Sequence, residues 1–256
     1  MTGSAGDSIT ILGIRVDDVT YAETLDLIAS YIAARAPRQI ATINPEFIMA
    51  AQEDEEFREI LDRSALNLPD GSGVVWAARR LGCPLRERVA GSDVIGLIAE
   101  RAGRDGWRVF LLGAAEGVAQ SAADMLSSRY PGFSCAGAYS GSPRAEEEAA
   151  IVERVCAARP DVLLVAYGAP AQDKWIARNL AKLSVPVCMG VGGAFDFIAG
   201  VTRRAPPWLQ RLGLEWLHRL IHQPRRWRRM LALPRFVWRV WTSTAASSPA
   251  PPAQRS

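Results

Sequence analysis

Asp161-Val-Leu-Leu-Val-Ala-Tyr167 runs straight into Gly168-Ala-Pro-Ala-Gln172, and a helical pattern follows. A run with no polar face reads as a strand covered on both sides, the signature of a parallel sheet. The same scheme recurs outward from this stretch. Arg108–Leu112 leads into Gly113-Ala-Ala-Glu-Gly117 and a helix, and Val185–Met189 leads into Gly190-Val-Gly192-Gly193. Nearer the start, Gln39–Ile43 ends at Thr42-Ile43-Asn44-Pro45, and Ala65–Leu68 ends at Pro69-Asp70-Gly71-Ser72-Gly73. Buried strands alternating with helices predict an α/β fold: a Rossmann-like, mostly parallel sheet with helices on both faces. Ligands of such sheets bind outside the carboxyl ends of the strands, where every one of these loops falls. Ile9–Val16 reads as one further strand and Tyr21–Ala34 as an amphipathic helix.

The chain has 256 residues, 49% of them apolar, which supports a sizeable core and argues against global disorder. Its net charge of +3 hides an asymmetry. Arg203 to Trp241 holds ten arginines, no lysine and one acid, Glu215, for a net +9. The remainder is therefore −6. Five of the eight tryptophans (Trp208, Trp216, Trp227, Trp238, Trp241) lie in the same segment, and Leu209, Leu212, Trp216 and Leu220 form an apolar stripe near helical spacing. Arginine interleaved with tryptophan and leucine suits a lipid headgroup boundary. Two alternatives are a helix packed on its own core with solvated arginines, and a nucleic-acid surface. The missing lysines and the stripe favour an anionic membrane over nucleic acid. The expected organisation is a catalytic-type α/β domain over 1–200, a basic helical membrane-binding appendage over 201–241, and a Ser/Ala/Pro-rich disordered tail over 242–256.

No stretch approaches the ~18–20 apolar residues of a spanning helix, so membrane contact is expected to be peripheral. The N-terminus lacks a basic start before an apolar core, so no signal peptide is expected. Cys83, Cys135, Cys156 and Cys188 are scattered without a CxxC pair, which fits a reducing cytoplasm.

The strand-end loops carry the candidate chemistry. Gly113, Gly117, Gly190, Gly192 and Gly193 let backbone N–H groups approach a phosphate where a helix begins. None fits GxGxxG with its distant acid, or GxxxxGK[ST], so a nucleotide-type ligand and plain strand-to-helix turns both stay open. Asp70 is the candidate general base, able to take a proton from a sugar hydroxyl. Asp-Gly is also a common turn pair. Thr42 and Asn44 offer a hydroxyl and an amide to sugar hydroxyls or a diphosphate, although Asn44 also suits a helix cap before Pro45. Gln172 is a hydrogen-bonding candidate or a first-turn polar residue. Arg88 is a diphosphate partner or a solvated arginine. Glu53–Glu56 reads as a solvated face and Asp17-Asp18 lacks the spacing of a metal pair; His218 and His222 stand four apart, but the chain has no other histidine, a third ligand would have to be an acid or a cysteine, and no HExxH pattern is present. No metal and no cofactor is expected.

Taken in order, a longer set of pieces is specific. Thr42-Ile-Asn44-Pro-Glu46, Pro69-Asp70-Gly71-x-Gly73, Glu87-Arg88-Val-x-Gly91-Ser-Asp93 and Phe110-Leu-Leu-Gly113 come first. Gly168-x-Pro170-x-Gln172-Asp-Lys-Trp175, Gly190-Val-Gly192-Gly193-x-Phe195-Asp196, Arg204-Ala-Pro206, Gly213-Leu-Glu215-Trp216, Arg219-Leu and Pro224-Arg-Arg226 follow. The ordered set, spanning about residues 9 to 241, resembles the WecG/TagA/CpsF glycosyltransferases (family 26). The resemblance implies a metal-independent, inverting transferase that moves a sugar from a UDP-sugar to a polyprenyl-diphosphate-linked sugar at the inner face of the cell membrane. N-acetylmannosamine onto N-acetylglucosamine-diphospho-lipid is the commonest assignment; N-acetylmannosaminuronic acid and glucose are the alternatives. It makes Asp70 the base and Thr42, Asn44, Arg88 and Gln172 pocket residues. It also implies that the appendage closes the site and attaches to membrane, with Arg219, Arg226 and Arg229 reaching the diphosphate. Asp173 departs from the pattern, where glutamate is usual. A non-catalytic lipid- or nucleotide-binding component is the rival of another class, and a homo-oligomer stays open.

Overall fold

A computed structural model describes residues 7–202, 205–206, 209, 216 and 230–243. Two short strands open it, β1 (Ser8–Ile11) and β2 (Ile14–Asp17), paired antiparallel with Ile11 opposite Ile14. The expectation of one continuous strand over Ile9–Val16 is therefore corrected to a hairpin. Its two-residue turn is Leu12-Gly13, with φ of 49° and 81°. Positive φ at both central positions gives a twist that matches paired strands.

The main sheet has six strands, all parallel: β3 (Arg38–Ile43), β4 (Leu66–Pro69), β5 (Arg108–Gly113), β6 (Ser134–Tyr139), β7 (Val162–Ala166) and β8 (Val187–Gly190). Their order is β4-β3-β8-β7-β5-β6. The α/β architecture expected from the alternating pattern is present. Val109, Leu111, Val162, Leu164 and Met189 project into one core; Phe110, Leu112, Leu163, Val165 and Cys188 project into another. That two-sided burial is why the strands read as unbroken apolar runs.

The first core is covered by α1 (Tyr21–Ala34), α5 (Gly91–Asp105), α6 (Val118–Arg129) and α9 (Ala194–Ile198). Across the sheet lie α2 (Pro45–Ala51), α3 (Glu55–Arg63), α4 (Ser72–Arg80), α7 (Ala145–Ala158) and α8 (Ala171–Leu183). After β5 the chain leaves toward α6 on one face; after β7 it leaves toward α8 on the other. Those neighbouring strands thus form a switch point, where a crevice opens at the carboxyl edge.

The hairpin caps the second face near the β4 edge. Asn67 N–H donates to Asp17 Oδ2 at 2.7 Å, and Asn67 Nδ2 donates to the Arg15 and Leu61 carbonyls. A last helix, α10 (Ala232–Thr242), lays Phe236 and Val240, each 1% exposed, into this same core beside α2 and α4. Burying two such side chains contributes on the order of 3–6 kcal/mol. No helix of the described residues is long and apolar enough to cross a membrane.

Candidate active site

The carboxyl ends of β3 and β4 set the first cluster. Asp70 N–H donates to the Ile43 carbonyl at 2.8 Å, which carries the strand pairing one residue past β4 and fixes where the half-buried carboxylate starts. Gly71, at φ 89°, then turns the chain into α4. The segment 86–91 passes alongside, held by Val89 N–H to the Pro69 carbonyl at 2.9 Å. Gly91 ends up so close that a Cβ there would lie 2.7 Å from Thr42 Cγ2 and 3.7 Å from Asp70 Oδ2. Thr42, Asp70 and Gly91 therefore share one corner.

Asn44 caps α2, its Oδ1 accepting from Phe47 N–H at 3.0 Å. The cap reading and the pocket reading are compatible in space, because Asn44 Cβ lies 3.9 Å from where a Gly71 Cβ would stand. The starts of α2 and α4 meet here as well: a Cβ on Gly73 would be 2.6 Å from Pro45 Cγ. Two helix N-termini beside one carboxylate bring positive partial charge to this corner.

Arg88 is half-buried on the same segment as Gly91. That segment is pinned by a residue sequence reasoning missed, Tyr21 at the start of α1. Its hydroxyl accepts from Ala90 N–H at 2.9 Å and donates to Asp93 Oδ2 at 3.2 Å, while its backbone N–H donates to Glu87 Oε2 at 2.9 Å. Burial pushes the Tyr21 phenol up to about 12; the Ala90 N–H and the Arg88 charge oppose that rise. Arg86 adds a second anchor, bonding to Asp18 Oδ2 at 3.0 Å and to Glu23 Oε2 at 2.7 Å. The visible signal was the Thr20-x-x-Glu23 capping box, which both side chains complete.

The second cluster lies at the ends of β7 and β8. Gln172 is 1% exposed. Its Oε1 accepts from Gly168 N–H at 3.1 Å and Gly192 N–H at 2.9 Å, tying together two loops that the chain separates by a whole helix and strand. Gly192, at φ 54°, and Gly193, which precedes α9, are half-buried above it.

At the end of β5, Gly113 adopts φ 105° against the Ala166 backbone, where a Cβ would come within 2.8 Å of a carbonyl carbon. Ala114 follows at φ 63°, an uncommon conformation for alanine. Beyond it opens a cavity of about 500 Å³ lined by Ala114, Gly117, Gln120, Tyr139, Ser140 and Glu147. Arg219, Arg226, Arg229, His218 and His222 lie outside the described residues. Among the described residues no group of three or more His, Cys, Asp or Glu side chains is placed to hold a metal ion.

A parallel sheet with an acid, a hydroxyl, a guanidinium and glycine turns at its carboxyl edge is the framework of an α/β enzyme acting on a polar substrate. The profile of the Glycosyl transferase WecG/TagA/CpsF family matches residues 9–249, and the chain belongs to this family of glycosyltransferases. Its curated relatives include proteins named N-acetylglucosaminyldiphosphoundecaprenol N-acetyl-beta-D-mannosaminyltransferase. The one from Bacillus subtilis (strain 168) is 37% identical over 207 residues, covering 81% of this chain and 80% of the relative. Those from Bacillus spizizenii (strain ATCC 23059 / NRRL B-14472 / W23), 34% identical over 82% of this chain and 80% of the relative, and Staphylococcus aureus (strain MW2), 31% identical over 91% of both, carry the same name.

Proposed function

We propose that the protein transfers N-acetylmannosamine from a UDP-sugar to N-acetylglucosamine on a polyprenyl diphosphate, with inversion, at the cytoplasmic face of the cell membrane. The observation that carries this reading is the corner where Thr42, Asp70 and Gly91 meet at the strand ends, in a chain whose relatives are named for that transfer. Asp70 takes the proton from the acceptor sugar hydroxyl. The freed oxygen attacks the anomeric carbon from the face opposite UDP. The bond from that carbon to the diphosphate oxygen breaks, and its electron pair leaves with UDP. Thr42 and Asn44 orient sugar hydroxyls, and Arg88, on the segment that ends at Gly91, meets phosphate charge. Gly113, Gly192 and Gly193 let backbone N–H groups come near the diphosphate. Gln172 serves the pocket through the loops it ties. Arg219, Arg226 and Arg229 stabilise the departing diphosphate, the role a metal ion fills elsewhere. The cavity beyond Gly113 has room for the nucleoside.

The test is a donor panel of UDP-N-acetylmannosamine, UDP-N-acetylmannosaminuronic acid and UDP-glucose with a short-chain lipid-diphosphate acceptor, with and without EDTA. Transfer from the first donor, unaffected by EDTA and giving the inverted anomer, is expected. Transfer only from UDP-glucose or the uronic acid would move the donor assignment, and binding without any turnover would favour a non-catalytic component. Asp70→Asn should lower kcat by about 10²–10⁴ while leaving the unfolding temperature in place. Near-normal turnover in that variant would remove Asp70 from the role of base.

A further inference from the structure

The start of α5 borrows its cap from another helix. Its own cap residue is Ala90, which has no polar side chain to offer the first turn, and Asp93 stands at the third helical position. In an ordinary capping box, an acid at that position reaches back to the backbone N–H of the cap residue. Here the Tyr21 hydroxyl, brought in by α1, stands between the two. It accepts from Ala90 N–H at 2.9 Å and donates to Asp93 Oδ2 at 3.2 Å. One oxygen can do both, because its single proton goes to the carboxylate and its lone pairs face the amide. Ala90 is 3% exposed, so its N–H depends on that oxygen rather than on solvent. The Tyr21 ring packs against the first core, as a phenylalanine ring would. What the hydroxyl adds goes to the turn at residues 90–93.

That turn begins at the corner of the site. Gly91, the first residue of α5, is the one packed against Thr42 and Asp70. Upstream, Tyr21 N–H donates to Glu87 Oε2 at 2.9 Å, and Val89 N–H donates to the Pro69 carbonyl at 2.9 Å. Arg88 lies between these two ties. The segment is thus held by α1 on one side and by the end of β4 on the other. The pairs that Arg86 makes with Asp18 and Glu23 secure only the upstream end, near the surface, where such pairs hold weakly. Lifting the start of α5 would draw Gly91 away from Thr42 and carry the Arg88 backbone with it.

We propose that Tyr21 is a positioning residue of the transfer: its hydroxyl caps α5 from α1, and so holds Gly91 against Thr42 and keeps Arg88 where it meets phosphate. The part played by Arg88 rests on the transferase reading; the cap does not.

Tyr21→Phe removes the oxygen and keeps the ring. By NMR on the full chain, the Ala90 amide should exchange slowly in wild type and about tenfold or more faster in Tyr21→Phe. Then kcat/KM, the Kd for UDP and the unfolding temperature are measured in wild type, Tyr21→Phe, Arg88→Met and the double variant. Tyr21→Phe should lower kcat/KM by about 10- to 100-fold and weaken UDP binding while Arg88 is present. With Arg88→Met in place, adding Tyr21→Phe should change either quantity by less than about twofold, whereas the drop in unfolding temperature should be alike in both backgrounds. A hydroxyl that served stability alone would give the same activity loss with and without Arg88, and that result overturns the positioning role. Wild-type turnover in a folded Tyr21→Phe overturns it too. An Ala90 amide that exchanges like an open loop in wild type overturns the cap, whether or not the variant folds. A wild type with a protected Ala90 that neither binds UDP nor transfers sugar upholds the cap, overturns the positioning role and rejects the transferase reading.

Discussion

At the scale of single residues, the corner holding Asp70 is defined by contact as much as by chemistry. Gly91 is buried there because Thr42 already fills the space its side chain would need. In Gly91→Ala the new methyl meets Thr42 Cγ2 at 2.7 Å, so the segment bearing Arg88 must shift, at a cost of about 1–3 kcal/mol. Thr42→Ser deletes that Cγ2 and keeps the hydroxyl. The double variant should therefore recover most of the stability and turnover that Gly91→Ala loses, a coupling that a double-mutant cycle of unfolding free energy and kcat/KM measures directly. Additive losses would mean the crowding at this corner is relieved elsewhere. The sequence names Asp70, Thr42 and Asn44 through their strand-end positions, since a short apolar run followed by a polar residue is a local pattern. Gln172 is different. Its partners are the N–H groups of Gly168 and Gly192, the latter in the loop after another strand, and no spacing rule joins them. Tyr21 pins the Arg88 segment from more than sixty residues away, and a tyrosine at a helix start carries no local mark of that task.

At the scale of elements, legibility follows burial on both faces. β5, β7 and β8 read as strands because neither side of them meets water. The edge strand β6, Ser134-Cys-Ala-Gly-Ala-Tyr139, carries no apolar run and goes unread. Its small residues have a structural cause: Phe110 of β5 reaches across, and a Cβ on Gly137 would sit 2.6 Å from the Phe110 ring. The volume belonging to one strand's side chains is filled by its neighbour's. The β1–β2 hairpin is masked differently, because Leu12-Gly13 lacks the asparagine or aspartate that flags such turns. Gly13 nevertheless stands at φ 81° with nothing within 4 Å of a would-be Cβ. Gly13→Ala should thus cost about 1 kcal/mol through backbone conformation alone. Chemical denaturation should show a lower midpoint with an unchanged m-value; no loss would mean the turn relaxes to another form.

At the scale of the whole molecule, the charge asymmetry gains a physical setting. α10 turns Phe236 and Val240 inward against α2 and α4, and leaves Trp238 70% and Trp241 62% exposed, with Val237 and Leu231 also open to solvent. Arginines frame this ridge. Arg239 bonds to Gln52 Oε1 at 3.2 Å, Arg235 pairs with Glu53 at 3.4 Å, and the Arg80 guanidinium lies 5.0 Å from the Trp241 ring centroid. These exposed pairs contribute little to folding. Indole rings held outward among guanidinium groups match a headgroup boundary, and the helix that bears them is fixed to the same layer as α4, whose N-terminal end adjoins Asp70. Replacing Trp238 and Trp241 together by serine removes surface aromatics and should move the unfolding temperature by little. Binding to vesicles containing anionic phospholipid, followed by co-sedimentation, should fall about tenfold or more. Wild-type binding itself should weaken as salt is raised, because guanidinium attraction to the surface is screened. Turnover of a short, water-soluble acceptor should be retained in the double variant, and turnover of acceptor embedded in vesicles should drop. If the variant binds vesicles as wild type does, the ridge on α10 is not the membrane face, and the arginine-rich residues before it must carry that contact alone.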